Sequence, residues 1–451
     1  MKLRLTDIAS WVGGRLHGAG AFIEGVSTDT RTLAPGALFV ALKGERYDAH
    51  DFIATARERG ATAVLVDHEI AIDMPQIVVA DTLAALGDLA RAVRSQRDAR
   101  VVGITGSNGK TTVKTLTASI LTRHGRTHVN AGNYNNEIGL PLTLIAMPIN
   151  TQYAVLEMGA GKPGDIAYLA RIARPDIALV NNVASAHLER LGSERGVAET
   201  KGAIYAALPA AGTAIINADD DYADYFADLA GSHRVLRFGM TAGADVSADV
   251  DADANVTLKT PAGSTRITLA QPGRHNLMNA LAASAIATAL DVPLVTIRAG
   301  LEAAPAVAGR LVRRAPASGA VLIDDSYNAN PGSFAAAIAT LAGEPGETIL
   351  VMGDMAELGV DAEKLHAQTG ALARRSGIAR MHAVGRLSRA AVEAFGAGAT
   401  HHADQAALLA ALRSDLRAGA TALIKGSRSS AMDRVVSALL DDGNGGERHA
   451  A

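Results

Sequence analysis

The chain has 451 residues, 48% hydrophobic and 4% aromatic, with 43 basic against 46 acidic side chains, no cysteine and a net charge of -3. That length predicts two to four units, each able to bury a core. The near-neutral balance excludes a general polyanion binder. The scarcity of rings argues against base stacking along single strands, and the missing cysteine excludes disulfides, thiolate metal sites and cysteine nucleophiles.

Read in chain order, residues 1–98 form a first α/β unit, with strands at Ala61–Val66 and Gln76–Val79 and a helix at Thr82–Gln96. A second unit, 99–310, opens with a buried-strand pattern at Arg100–Thr105 and a glycine-rich turn. A helix follows whose Val113, Leu116, Ile120 and Leu121 share a face and which stops at Gly125. Further strands are expected at Tyr153–Leu156, Ile177–Val180 and Thr213–Ile216, an exposed hairpin or insertion at Gly243–Gly263, and a small-residue core helix at Leu277–Leu290. In a third unit, 311–451, strands at Val321–Ile323, Thr348–Met352, Arg380–Val384 and Ala422–Ile424 alternate with helical patterns. The expected fold is therefore α/β in three domains, with a central phosphate-loop ATPase-type parallel sheet and a C-terminal Rossmann-like sheet. Ligands of such sheets sit at the carboxyl ends of the strands. No run reaches the length needed to span a bilayer, and the N-terminus lacks an apolar signal core, so a soluble, cytoplasmic protein is expected.

The turn reads Thr105-Gly106-Ser107-Asn108-Gly109-Lys110-Thr111-Thr112, between a strand and a helix. Small residues let backbone amides close around phosphate oxygens at a helix N-terminus. Lys110 then reaches the terminal phosphates and Thr111 ligates Mg²⁺. The spacing departs from the common loop, since Gly103 to Gly109 leaves five residues and Gly106 to Gly109 leaves two, and a tight turn without nucleotide is the competing reading. Glu157 ends a strand where a carboxylate faces the phosphates, although many strands end so. His187 follows the next strand, where a lone histidine is more often structural, and Lys201 stands at the expected start of a helix in AETKGAIY, with a surface lysine as the competing reading. Together the three mark a catalytic edge. Asp324–Pro331, Gly353–Gly359 and Lys425–Ser429 end strands of the third unit and are expected to line one crevice. Asn276 and Asn279 either read an adenine edge or cap a helix. Only nine of the 43 basic residues are lysines, and Lys43, Lys110, Lys201 and Lys425 all fall in these motifs.

TGSNGKTT, NNEIGLP at Asn135–Pro141, LEMG, NNVASAHLERLGS, INADD, GRHNLMNALAA, DDSYNANP and KGSRS occur in this order along nearly the whole chain. In this the chain resembles the ATP-dependent Mur ligases, relatives of the folylpolyglutamate synthetases. DDSYNANP with MGDMAELG and KGSR resembles the member that joins D-alanyl-D-alanine to UDP-N-acetylmuramoyl-tripeptide. The resemblance implies acyl-phosphate chemistry with ATP and two Mg²⁺ ions, Thr111 and Glu157 serving one and His187 the other. It implies a CO₂-derived carbamate on Lys201, adenine contacts from Asn276 and Asn279, a ribose contact from Asp325, and a phosphate contact from Arg310. Thr28, Asp29, Lys43 and Gly44 are implied for the uridine nucleotide, and Asn330, Lys425 and Arg428 for peptide substrates. A monomer without nucleic-acid or membrane partners is expected. Asp433 stands where glutamate is usual, and Ala49 where glycine is usual. A diaminopimelate- or lysine-adding ligase, a folylpolyglutamate synthetase and a phosphate-loop switch remain as alternatives.

Overall fold

Short apolar runs that end in glycine or asparagine turns become parallel strands here, and the amphipathic segments between them become the covering helices. The structure is a computed structural model that describes residues 2–44, 47–185, 188–271 and 273–441.

In the first sheet the order is Arg15–His17, Gln76–Val78, Ala63–Val66, Ala37–Val40, Gly25–Ser27. All neighbours are parallel except the first pair. The helix Thr82–Ser95 is started by Asp81, whose carboxylate accepts from the Leu83 and Ala84 amides at 2.8 and 2.9 Å. It then packs on helices Gly139–Ile145 and Asp165–Ala173 of the next unit. One hydrophobic core therefore runs from Leu38 and Leu65 through Leu86 and Leu89 to Leu156 and Ile166.

The central sheet is wholly parallel, in the order Arg234–Phe238, Thr213–Asn217, Ile177–Val180, Arg100–Thr105, Tyr153–Glu157, Thr127–Val129. After Arg100–Thr105 the chain moves outward to Thr127–Val129, returns through Tyr153–Glu157, and continues on the opposite side. The crevice at such a switch point opens beside the end of Thr105. The expected polar hairpin is a three-stranded antiparallel sheet, Ser247–Val250, Val256–Thr260 and Gly263–Ile267.

The third sheet follows the order Val312–Arg314, Val321–Asp325, Ala420–Lys425, Glu347–Gly353, Arg380–Val384, Ala399–His402. Only the first strand is antiparallel. It carries its own cores, one on each face. Four strands escaped the sequence reading here and in the central sheet: Thr127–Val129, Arg234–Phe238, Val312–Arg314 and Ala399–His402. All are edge strands, which need no unbroken apolar run because one flank is free.

The helix that begins at Lys110 is held from behind by helix Leu294–Glu302. Ser119 donates to the Gly300 carbonyl at 2.7 Å. A β-carbon on Gly300 would come within 2.5 Å of the Ile120 α-carbon, so backbone meets backbone there. Gly300→Ala is expected to lower the unfolding free energy by about 1–3 kcal/mol through overpacking, read as a shifted midpoint in urea unfolding.

Candidate active site

Two glycines shape the turn after Thr105. Gly106 has φ +149° and Gly109 φ +79°, the latter in the left-handed region that costs other residues. A β-carbon on Gly109 would also collide with the Asn279 side-chain oxygen and stand 2.5 Å from Asn181 Nδ2. The loop is tied to the residues that follow the neighbouring strand. Asn108 donates its amide to Asn182 Oδ1 at 2.8 Å, and its carbonyl accepts from Asn181 Nδ2 (2.9 Å) and Asn182 Nδ2 (3.2 Å). The Ser107 hydroxyl donates to the Ala184 carbonyl at 3.2 Å and accepts from the Ala184 amide at 3.0 Å.

Lys110 opens the helix and folds its ammonium back onto the carbonyls of Gly106 (2.6 Å) and Ser107 (3.2 Å). Burial pulls its pKa down to about 8, with Glu157 opposing and Arg310 adding to the fall. Glu157, at the end of its strand, is 3% exposed. Its carboxylate accepts from Thr111 Oγ1 at 3.0 Å and Asn135 Nδ2 at 2.7 Å, and Lys114 Nζ stands 3.3 Å away. Burial alone would raise its pKa, but Lys114, Lys110, Asn135 and Thr111 together hold it below the usual value. The Thr111 hydroxyl and Glu157 carboxylate thus form a pair of hard oxygens beside the loop, the donor type that Mg²⁺ takes.

Lys201 lies in the last turn of helix Glu194–Gly202, not at a helix start, and at 1% exposed it is no surface lysine. Burial, and then the charge of Lys110, put its pKa well below that of an ordinary lysine. His187 lies outside the described residues.

Two cavities meet at this point. One, of about 260 Å³, is lined by Asn108, Gly109, Thr112, His275, Asn276, Asn279, Asp325 and Lys425. The other, of about 530 Å³, is lined by Lys110, Asn135, Glu157, Lys162, Arg190 and Tyr327. Arg310 borders both, its guanidinium 4.4 Å from the Tyr327 ring centroid. His275 Nε2 is buried with no hydrogen-bond partner among the described residues. Asp325 accepts from the Leu311 amide at 3.2 Å and from Lys425 Nζ at 2.6 Å.

Two expected substrate contacts are spent elsewhere. Lys425 is 2% exposed, bound to Asp325 and to the Asn328 carbonyl at 2.9 Å, so it braces the first cavity and has no free charge for a peptide carboxylate. Asn330 caps helix Pro331–Ala342 by accepting from the Ser333 amide at 2.8 Å, and its Nδ2 donates to Asn108 Oδ1 at 2.8 Å. It joins the third unit to the phosphate loop. Arg428 is exposed and pairs with Asp433 at 3.1 Å, so the shorter acid still reaches it.

In the first unit, Thr28 and Asp29 follow strand Gly25–Ser27, and Lys43 and Gly44 follow the adjacent strand Ala37–Val40, at the same sheet end. Asp29 grips Arg31, which holds its carboxyl below the usual value. Lys43 lies 3.9 Å from Asp48, and the Gly44 amide donates to the Tyr47 carbonyl at 2.9 Å. Ala49 opens a short helix capped by Asp48, so the missing glycine costs nothing visible.

Family models match residues 22–94 (Mur ligase family, catalytic domain), 104–287 (Mur ligase middle domain) and 309–428 (Mur ligase, glutamate ligase domain). The chain belongs to the Mur ligase family. It is 47% identical to the UDP-N-acetylmuramoyl-tripeptide--D-alanyl-D-alanine ligase of Escherichia coli K12, over 98% of both chains. Among solved structures it is similar to MurF from Acinetobacter baumannii (TM-score 0.93, 35% identity, 98% and 99% of the chains covered). It is also similar to the MurF ligase of Thermotoga maritima in complex with ADP (TM-score 0.84, 27% identity, 94% and 98% covered).

Several side chains of this Mur ligase site went unassigned from sequence: Lys114, Asn130, Asn135, Asn181 and Asn182. Lys114 had a signal, since it stands four residues after Lys110 on the same helix face. The asparagines had a weaker one: Asn130, Asn181 and Asn182 stand just past strand ends.

The depressed Lys110 pKa has a sign that can be measured. With the folded value at about 8 and a higher unfolded one, burying the charge costs stability in full below pH 8, and the cost fades as pH rises toward the unfolded pKa. The unfolding free-energy difference, Lys110→Met minus parent, is expected to fall by up to about 3 kcal/mol between pH 7 and pH 10.5. Denaturant titrations across that range check it, and a flat difference contradicts the burial of the charge.

Proposed function

We propose that this Mur ligase joins D-alanyl-D-alanine to UDP-N-acetylmuramoyl-tripeptide with ATP, releasing ADP and phosphate. The observation that carries the reading is the full-length likeness to the Escherichia coli ligase of that name. The two cavities meeting at Lys110 and Arg310 give it a geometry.

A carboxylate is a poor acyl donor because its leaving group would be an oxide, so activation comes first. The terminal carboxylate oxygen of the tripeptide attacks the γ-phosphorus and the bond to ADP breaks, giving an acyl phosphate. The neutral amine of D-alanyl-D-alanine then attacks the carbonyl carbon. The tetrahedral adduct expels phosphate and loses a proton to leave the amide. Lys110 and Arg310 lie where negative charge collects on the moving phosphoryl group, and arranging cations there in advance is the main catalytic contribution in such transfers. Incoming phosphates also favour the charged form of Lys110.

Thr111 and Glu157 are the residues that would hold a Mg²⁺ ion, which supplies charge neutralisation at the phosphates when bound; His187 is assigned to a second ion. The smaller cavity is assigned to the nucleotide, in keeping with the ADP complex of the Thermotoga maritima relative. Gly106, Ser107, Asn108, Gly109 and Thr112 border the phosphates, Asn276 and Asn279 the adenine, and Asp325 the ribose. Thr28, Asp29, Lys43 and Gly44 face the uridine nucleotide, and Arg428 is left for an acceptor carboxylate. The working division is 1–98, 99–310 and 311–451. The nucleotide substrates suit a cytoplasmic enzyme, and no helix among the described residues is long and apolar enough to cross a membrane.

Lys201 is assigned a carbamate. Its amine is buried, and burial followed by the charge of Lys110 lowers its pKa, which favours the neutral nitrogen that attacks CO₂. The ammonium first gives up one proton; the neutral amine then bonds to the CO₂ carbon and loses a second, so that a misplaced cation ends as a carbamate anion.

Phosphate release is expected to need both UDP-muramoyl-tripeptide and D-alanyl-D-alanine. Release at full rate without the dipeptide favours a nucleotide switch instead. Lys110→Ala should lower kcat/KM by about a hundredfold or more in the same assay. With ¹³C-bicarbonate, the parent should give a carbamate carbon resonance that Lys201→Arg lacks. A parent spectrum without that signal under turnover conditions ends the carbamate assignment.

A further inference from the structure

One buried cation beside the reacting groups has no part in the chemistry above. Lys114, one helical turn after Lys110, is 6% exposed. Its ammonium lies 3.3 Å from Glu157 Oε2 and donates to the carbonyls of Asn130 (3.1 Å) and Gly132 (3.0 Å). An exposed pair of this length would contribute little, but both side chains here are almost fully buried. Oε2 is also the oxygen that accepts from Thr111, so the fixed positive charge stands against the edge of the carboxylate assigned to the metal.

The ammonium is not free to swing away. Asn130, which accepts from it, is itself locked. Its Oδ1 accepts from the Glu157 amide at 3.0 Å, and its Nδ2 donates to the carbonyls of Glu157 (3.1 Å) and Tyr134 (3.0 Å). Lys110 adds a second positive charge nearby. A divalent ion arriving alone meets a carboxylate already neutralised and two like charges at short range. A triphosphate brings negative charge of its own and reverses the balance.

We infer that Lys114 makes metal binding at Glu157 conditional on the nucleotide, its fixed charge suppressing a free divalent ion until ATP outweighs it. This rests on the assignment of Glu157 as a metal ligand. Lys114 is a positioning residue in this scheme, touching neither substrate nor reacting atoms. By reciprocity, whatever the nucleotide does for the metal, the metal does for the nucleotide.

The test measures Mn²⁺ binding to the full-length protein, by the electron paramagnetic resonance of the free ion, with and without a non-hydrolysable ATP analogue. Thermal melts confirm folding. The parent should bind Mn²⁺ alone at least about tenfold more weakly than with the analogue. Lys114→Met and Lys114→Gln should each tighten binding of Mn²⁺ alone by about tenfold and shrink the effect of the analogue, while Lys114→Arg stays near the parent. If a folded neutral variant binds Mn²⁺ no more tightly than the parent, or Lys114→Arg tightens it as much as Lys114→Met, the inference is overturned. Glu157→Gln separates the two layers. If it keeps parental Mn²⁺ binding with the analogue, the metal assignment itself falls and takes the inference with it. If it loses that binding while the neutral Lys114 variants behave as the parent, only the role of Lys114 falls.

Discussion

The site depends on keeping one carboxylate ionised where water hardly reaches. Glu157 is 3% exposed, and an unpaired carboxylate in such a place would take up a proton. Two lysines, an amide and a hydroxyl prevent that. They come from two pieces of the fold: the loop helix supplies Lys110, Thr111 and Lys114, and the asparagine-rich segment after Thr127–Val129 supplies Asn135, with Asn130 holding the Glu157 backbone. The parallel register that sets Glu157 opposite Ile104, beside the turn, makes the meeting possible.

Much of this was legible in the sequence because it is local. The phosphate loop is one strand, two obligatory turn glycines and one helix start, all contiguous, and its context declared it. Central strands such as Ile177–Val180 were plain because burial on both faces leaves only apolar residues. Side-chain partnership across the fold was hidden. That Asn330 reaches Asn108 over 222 positions, or that Lys425 is consumed by Asp325, depends on how two sheets face each other, which no local pattern encodes. Both residues sat in motifs that pointed to binding. Motif membership put them near the right crevice but not on the right partner.

The lysines show what the site costs the fold. Lys110, Lys201 and Lys425 are all buried enough for desolvation to lower their pKa. Of these three, only Lys425 has a carboxylate in direct contact among the described residues. Arginine makes up most of the basic residues; Lys2, Lys43, Lys162, Lys259 and Lys364 are exposed, whereas at the buried positions lysine stands where a compact ammonium fits a small space or where the amine must lose its proton. Arginine offers neither property.

The unbroken core between the first and second units has a mechanical consequence. Helix Thr82–Ser95 glues the N-terminal sheet to the central one through apolar packing, whereas the third sheet keeps separate cores and meets the loop through polar bonds such as that of Asn330. Apolar seams resist sliding; a few hydrogen bonds can be exchanged. The first two units therefore share one packed body, and the third is a separately cored unit. The strand ends at Thr28 and Lys43 and the loop at Lys110 both stand on that shared body. A ligand long enough to reach from one to the other would meet a separation set by apolar packing, as along a ruler, and not by the placement of the third sheet.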